Sequence, residues 1–98
     1  MEWPSKVLLR VGDEKKLRLD GFSSGGYRWQ ARVVPPGRVV TASVTPAPET
    51  ATGKASRDEL VVLRGEAAGR AAVEVTLGRS WESAPVERHT IDVVVDEP

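Results

Sequence analysis

The chain of 98 residues contains no cysteine and only one histidine. Without cysteine it forms no disulfide, binds no metal through thiolates and has no thiol nucleophile. A single histidine without cysteine also cannot make a transition-metal site of the usual composition. We therefore expect no metal and no cofactor, and packing alone must stabilise the fold.

An excess of charge of either sign is also missing, because 14 Lys and Arg residues balance 14 Asp and Glu residues. Nucleic-acid-binding domains usually carry a basic excess on one face, so we expect no nucleic-acid partner. No apolar run approaches the length of a membrane span, and the first residues lack the features of a secretory signal. We expect one monomeric domain over residues 1–98 without membrane contact. The compartment stays open, with a preference for the cytoplasm.

What the sequence does contain is alternation of apolar and polar residues. Successive side chains leave a strand on opposite faces, so a period of two marks a half-buried strand. The clearest run, residues 27–34, has its apolar side chains on one face: Tyr27, Trp29, Ala31 and Val33. Six further runs lie at residues 6–11, 15–20, 38–45, 57–64, 70–77 and 90–95.

Seven short strands with turn residues between them and no helix predict an all-β, seven-stranded immunoglobulin-like β-sandwich. In such a sandwich Trp29 would be buried, flanked by Val73 and Val75 of the sixth strand. If each strand reverses direction, the loops at residues 21–26, 46–56 and 79–88 share one end. Elaborate loops on one end of a rigid frame are typical of binding surfaces.

Two patterns suggest catalysis but lack the necessary surroundings. Residues 21–25 match the Gly-x-Ser-x-Gly motif, yet a strand rather than a helix follows, and the chain is too short for the large sheet that this motif requires. His89 and Asp92 with a serine could be drawn as a triad. However, His89 shares a face with Ile91 and Val93, which places it at the core edge of the last strand. We therefore expect that the protein is not an enzyme.

Trp81 allows two interpretations. It lies in a polar loop between strands that already carry enough aliphatic residues for a core. It could fold back and cover the end of the sandwich, or it could be an exposed anchor for a binding partner.

Several segments resemble those of one protein family. Residues 25–29, Gly-Gly-Tyr-Arg-Trp, resemble an Asn-Pro-Thr-Thr-Gly-[Tyr/Phe]-x-Trp segment of the chagasin family, the immunoglobulin-like inhibitors of papain-like cysteine proteases. Residues 67–69 and 78–82 resemble its Ala-Ala-Gly and Arg-Pro-Trp segments, and residues 87–93 resemble its final strand. The resemblance covers most of the chain in the right order and spacing.

In that family three loops at one end of the sandwich form a wedge that enters the active-site cleft of the protease. The resemblance therefore implies a reversible, non-covalent inhibitor whose partner is a papain-like cysteine protease. The residues of this chain that match the wedge are Ser23, Ser24, Gly25, Gly26, Thr52, Gly53, Arg79, Ser80 and Trp81.

The chain departs from the family pattern within these loops. Phe22 and Ser23 stand where the family has Asn-Pro, and Gly25 stands where it has a Thr that reaches the catalytic centre. Ser80 replaces the Pro of Arg-Pro-Trp, and Gly53 stands alone where the family has Gly-x-Gly-Gly. These departures keep an alternative open, a non-inhibitory chagasin-like module for protein–protein interaction.

Overall fold

The computed structural model describes residues 3–21, 26–34, 37–47, 58–79, 81–82 and 84–97. All regular structure in these ranges is β-structure, and no helix suited to crossing a membrane occurs among them. The strands are β1 (Lys6–Arg10), β2 (Glu14–Leu19), β3 (Tyr27–Val34), β4 (Val40–Pro46), β5 (Glu59–Gly65), β6 (Gly69–Arg79) and β7 (Glu87–Asp96).

The strands form two sheets. One has four strands in the order β1-β7-β6-β3, and the other has three in the order β2-β5-β4. β1 and β7 pair in parallel, whereas every other pair is antiparallel. This architecture confirms the predicted all-β sandwich of seven strands.

Apolar side chains from both sheets meet between the layers. On β6, for example, Val73, Val75 and Leu77 are buried while Glu74 and Thr76 alternate with them on the outer face. Full burial of such a side chain contributes about 1.5–3 kcal/mol relative to exposure. Among the described residues, no buried side-chain nitrogen or oxygen lacks a hydrogen-bond partner.

The observed strand bounds correct several predicted ones. β3 has its predicted bounds, but β6 continues to Arg79 and β7 begins at Glu87, so the connection between them spans residues 80–86 rather than 79–88. Glu87 pairs with Leu77, and Arg88 pairs with Thr76. Glu87 and Arg88 are both exposed, and because the ladder uses backbone groups they extend β7 without any apolar signal.

Trp29 is buried as predicted, at 6% exposure, but its predicted neighbours are wrong. Leu77 lies directly opposite Trp29, whereas Val75 pairs with Ala31 and Val73 with Val33. The alternation of a sequence fixes which face of a strand is buried, but not the pairing register with another strand.

The three longer connections leave the sandwich at the same end, as strand reversal predicts. Leu19 at the end of β2 and Pro46 at the end of β4 both pair with Glu59. Arg79 at the end of β6 pairs with Tyr27 at the start of β3. We call this the loop end; it carries residues 20–26, 47–58 and 80–86, whereas residues 11–13, 35–39 and 66–68 connect strands at the opposite end.

A hydrogen bond ties the two sheets together near the loop end. The indole nitrogen Nε1 of Trp29, on β3, donates to the backbone oxygen of Asp20 at 2.8 Å, and Asp20 directly follows β2. The frame beneath the loops is therefore fixed by a buried aromatic side chain as well as by the strand ladders.

Candidate functional site

A cluster of side chains lies where β3 begins and β6 ends. It consists of Gly26, Tyr27, Arg79, Trp81 and Glu82, and we call it the tip cluster. Tyr27 and Arg79 face each other across the two strands. The guanidinium carbon of Arg79 lies 4.1 Å from the centroid of the Tyr27 ring, a distance at which the ring attracts the cation. The cluster thus stands on the last cross-strand pair of the sheet.

A tight turn after β6 positions Trp81. The backbone N–H of Glu82 donates to the oxygen of Arg79 at 3.1 Å, and Nη1 of Arg79 lies 3.3 Å from Oε1 of Glu82. The guanidinium carbon of Arg79 is also 5.6 Å from the Trp81 ring centroid. Arg79 therefore contacts both aromatic rings and the acidic side chain of the turn.

Gly26 provides the surface on which Trp81 rests. Its φ of 83° lies in the left-handed region, which favours glycine. A Cβ atom at this position would lie 2.5 Å from Cη2 of Trp81. Because Gly26 ends the β2–β3 connection, this contact joins the first and third connections of the loop end.

The structure distinguishes between the two interpretations of Trp81. Trp81 is 70% exposed, so it does not cover the core at the end of the sandwich. Other rings pack beside the buried Trp29: Trp3 lies 5.6 Å from it, and His89 stacks on Trp3 at 3.8 Å between centroids. Trp81 is left as an exposed aromatic surface at the loop end.

Two contacts hold the ends of the β4–β5 connection together. The N–H of Ala47 donates to the backbone oxygen of Asp58 at 2.8 Å. Nε of Arg18, on β2, donates to Oδ2 of the same Asp58 at 2.9 Å. The two ends of the middle connection are thus joined to each other and to β2.

The titratable side chains of the described residues were the other possible source of a site. No group of three or more His, Asp or Glu side chains in the described ranges could hold a metal ion. His89, the one histidine, stacks on Trp3, and its Nε2 lies 3.0 Å from Oε2 of Glu87. The tip cluster thus presents one large exposed aromatic face and one paired cation.

The structure brings together the three predicted site residues that it describes: Gly26, Arg79 and Trp81 all belong to the tip cluster. The remaining predicted site residues lie outside the described residues: Ser23, Ser24, Gly25, Thr52, Gly53 and Ser80.

Sequence reasoning missed two members of the tip cluster. Tyr27 shares its face of β3 with Trp29, so the alternation counted it only as part of the strand. Glu82 lies in the turn after β6, where the charge spacing that pairs side chains on a helix does not apply, so no sequence signal pointed to its pairing with Arg79.

Several solved structures share this fold. The cysteine protease inhibitor EhICP2 from Entamoeba histolytica has a TM-score of 0.73 and 21% identity, over 94% of this chain and 86% of that one. Amebosin has a TM-score of 0.66 and 18% identity, over 95% and 88% of the two chains. Domains 4 and 5 of the S-layer protein SbsC have a TM-score of 0.61 and 14% identity, over 94% and 47%. At these identities the likeness concerns the fold alone.

No curated protein sequence matches the chain. The model of the family described as chagasin family peptidase inhibitor I42 matches residues 9–95, which reach from β1 into β7. Members of this family inhibit peptidases and are not enzymes. The chain therefore belongs to the chagasin family of peptidase inhibitors.

Proposed function

We propose that this protein is a reversible, non-covalent inhibitor of papain-like cysteine proteases, which inserts the three connections of the loop end into the active-site cleft. The family match supports inhibition of a peptidase, and EhICP2, which shares the fold, is described as a cysteine protease inhibitor. The observation that carries the proposal is the tip cluster, an exposed tryptophan on a fixed base at the end where all three connections meet.

The geometry of the tip cluster suits tight binding. Trp and Arg are enriched among the residues that dominate binding energy at interfaces. Arg79 is already placed by Tyr27 and Glu82, and Trp81 already rests on Gly26. Binding therefore costs less conformational entropy than it would for mobile side chains.

In this mechanism the inhibitor occludes the cleft and does not react. Trp81 would transfer its exposed ring from water into the cleft, and the guanidinium of Arg79 would help to hold the indole in its orientation. No bond to the catalytic cysteine is formed or broken, so activity should return when the complex is diluted.

The second candidate is a chagasin-like module that binds another protein without inhibiting a protease. The first connection favours this alternative, because Phe22 and Ser23 replace Asn-Pro and Gly25 replaces the Thr of the family pattern. The same tip cluster would then serve as the anchor for a different partner.

A titration of papain with the purified protein tests the proposal. We expect inhibition that rises with inhibitor concentration and is lost on dilution of the preformed complex. We also expect binding to papain whose catalytic cysteine carries a small blocking group, because no covalent step is needed. Absence of inhibition at micromolar concentration, against papain and a cathepsin L-type enzyme, would favour the second candidate.

A further inference from the structure

The outer face of the four-stranded sheet contains a groove that the proposed function does not use. It has a volume of about 490 Å³ and lies along β3 and β6, beside residues of the β6–β7 connection. Four arginines and two glutamates line it, which gives the lining a net charge of +2: Arg28, Arg32, Arg79, Arg88, Glu74 and Glu82.

Both glutamates already have arginine partners. Nη2 of Arg32 lies 3.1 Å from Oε1 of Glu74, and Arg79 pairs with Glu82. Arg28 and Arg88 are both exposed. Within the part of the chain that the structure describes, neither forms an ion pair with a carboxylate. The positive charge of the groove is therefore concentrated in two arginines.

The sheet register places these two arginines on the two strands that flank β6, Arg28 on β3 and Arg88 on β7, and the β6 residues between them line the floor of the groove. Arg88 lies opposite Thr76, which lies opposite Gln30 on β3. Arg28 lies opposite Gly78, which has no side chain. Neighbouring strands are about 4.8 Å apart and residues rise about 3.4 Å along a strand, so two strand spacings and an offset of two residues put the two arginine backbones roughly 12 Å apart.

Pro85 forms a wall of the groove next to Gly78. A Cβ atom on Gly78 would lie 3.3 Å from Cα of Pro85, so the connection approaches the sheet closely here. Gln30 and Thr76 offer neutral hydrogen-bonding groups on the floor between the two arginines. The groove thus combines two cations, a polar floor and a fixed wall.

We propose that this groove binds an acidic, extended segment of the protein partner, whose carboxylates pair with Arg28 and Arg88. Arginine and carboxylate can form two parallel hydrogen bonds, which gives such pairs strength and direction. The groove is continuous with the tip cluster, because Gly26, Arg79 and Glu82 line it as well.

The acidic segment would lie beside the cleft that receives the loop end. The identity of the partner as a protease rests on the proposed function, whereas the chemistry of the segment rests on the groove alone. The zero net charge of the whole chain favours protein carboxylates over a nucleic-acid backbone, which usually requires a basic excess.

The test is a titration of the isotope-labelled protein with a blocked pentaglutamate peptide, followed by backbone amide NMR shifts. We expect saturable shifts at Gln30 and Thr76, on the groove floor. Raising the NaCl concentration should weaken the binding, because salt screens exposed charges.

Two variants with equal charge change locate the binding. Arg28→Gln with Arg88→Gln should raise the apparent Kd for the peptide about fivefold or more, close to 1 kcal/mol. The control, Arg38→Gln with Arg70→Gln, alters two exposed arginines at the opposite end of the sandwich and should leave the Kd within about twofold. The amide spectrum of each variant verifies its fold.

Three results would overturn the inference: no saturable shifts on the groove floor, equal weakening by both double variants, or tighter binding of an oligothymidylate at the same residues. The last would identify a nucleic-acid site instead. The titration needs no protease, so its failure is distinct from a failure of the papain assay, which would count against the proposed function.

Discussion

Two tryptophans near the loop end have opposite environments. Trp29 is 6% exposed, lies opposite Leu77 and donates its indole hydrogen to the backbone of Asp20. Trp81 is 70% exposed and rests on Gly26. Trp29 belongs to the frame of the sandwich, whereas Trp81 belongs to its surface.

The difference follows from where each residue stands relative to the end of a strand. Trp29 is the third residue of β3, so its side chain points between the sheets, whereas Trp81 follows the last residue of β6 by two positions. A buried aromatic side chain removes about 150–250 Å² from water. For Trp29 that burial stabilises folding, and for Trp81 most of it is still available to stabilise a complex.

The largest effect should come from Trp29→Ala. Removing a large aromatic side chain from a core costs about 3–5 kcal/mol of unfolding free energy. Small domains have about 5–15 kcal/mol in total, so the variant should be barely stable. Chemical denaturation measures this loss; a midpoint near that of the wild type would mean that Trp29 is not part of the frame.

A conservative change keeps the experiment informative if Trp29→Ala does not fold. Trp29→Phe retains an apolar ring but loses the N–H that donates to Asp20. A single hydrogen bond contributes about 0.5–1.5 kcal/mol, to which the smaller ring adds a cavity term. We expect an unfolding midpoint between those of Trp29→Ala and the wild type.

The second largest effect should come from Trp81→Ala, and it should appear in binding rather than in stability. Truncating an anchor residue of an interface costs about 2 kcal/mol or more, so the inhibition constant should rise roughly 30-fold. The unfolding midpoint should remain close to that of the wild type because the side chain is already in water.

The exposed Val86 lies in the same connection and is 53% exposed, so Val86→Ala is the matched control. It should change neither stability nor inhibition appreciably. A large stability loss for Trp81→Ala with inhibition intact would contradict this prediction, because it would show that Trp81 stabilises the fold and does not bind the partner.

The sequence predicted the environment of Trp29 but not that of Trp81. The alternation around Trp29 runs from Tyr27 to Val34 between a glycine and a proline, and it predicted both the strand bounds and the burial of Trp29. Trp81 stands outside any alternation. Its position therefore depends on a turn and on Gly26, contacts that periodicity does not encode.

Pairing was less predictable than burial. The sequence placed Val73 and Val75 beside Trp29, but Leu77 is its partner, because several registers bury the same face of β6. Glu87 and Arg88 belong to β7 through backbone pairing alone. The groove with Arg28 was also missed, because it forms only when the polar faces of β3, β6 and β7 lie side by side.

The third prediction concerns the first connection, where the chain departs most from the family pattern. Ser23→Pro combined with Gly25→Thr should tighten inhibition about tenfold, or roughly 1.4 kcal/mol. Pro restricts the free chain before binding, and ordering one residue costs about 1–2 kcal/mol in backbone entropy. Thr also supplies a methyl and a hydroxyl group that Gly25 lacks.

The measurement is the inhibition constant of both proteins against one papain-like enzyme, with folding checked by circular dichroism. If the folded double variant inhibits no better than the wild type, the first connection does not dock in the cleft. Only Trp81 and the β6–β7 connection would then remain as a candidate binding site, and their partner would be a protein other than the protease.

The smallest effect isolates the contact between Gly26 and Trp81. Gly26→Ala and Gly12→Ala both place a Cβ on a residue with positive φ, 83° and 93°, which costs about 1–2 kcal/mol of stability in each case. A Cβ on Gly12, at the opposite end, meets nothing within 4 Å, whereas one on Gly26 would collide with Trp81. Because Trp81 is exposed, its ring should move aside rather than disrupt the fold.

Gly26→Ala should therefore weaken inhibition about fivefold, close to 1 kcal/mol, while Gly12→Ala leaves the inhibition constant unchanged. The two variants should lose similar unfolding free energy, so any difference in inhibition reports the displacement of Trp81. If both variants inhibit equally well, binding by Trp81 does not depend on its contact with Gly26. Trp81 would then find its bound position during complex formation and would not be pre-positioned by the first connection.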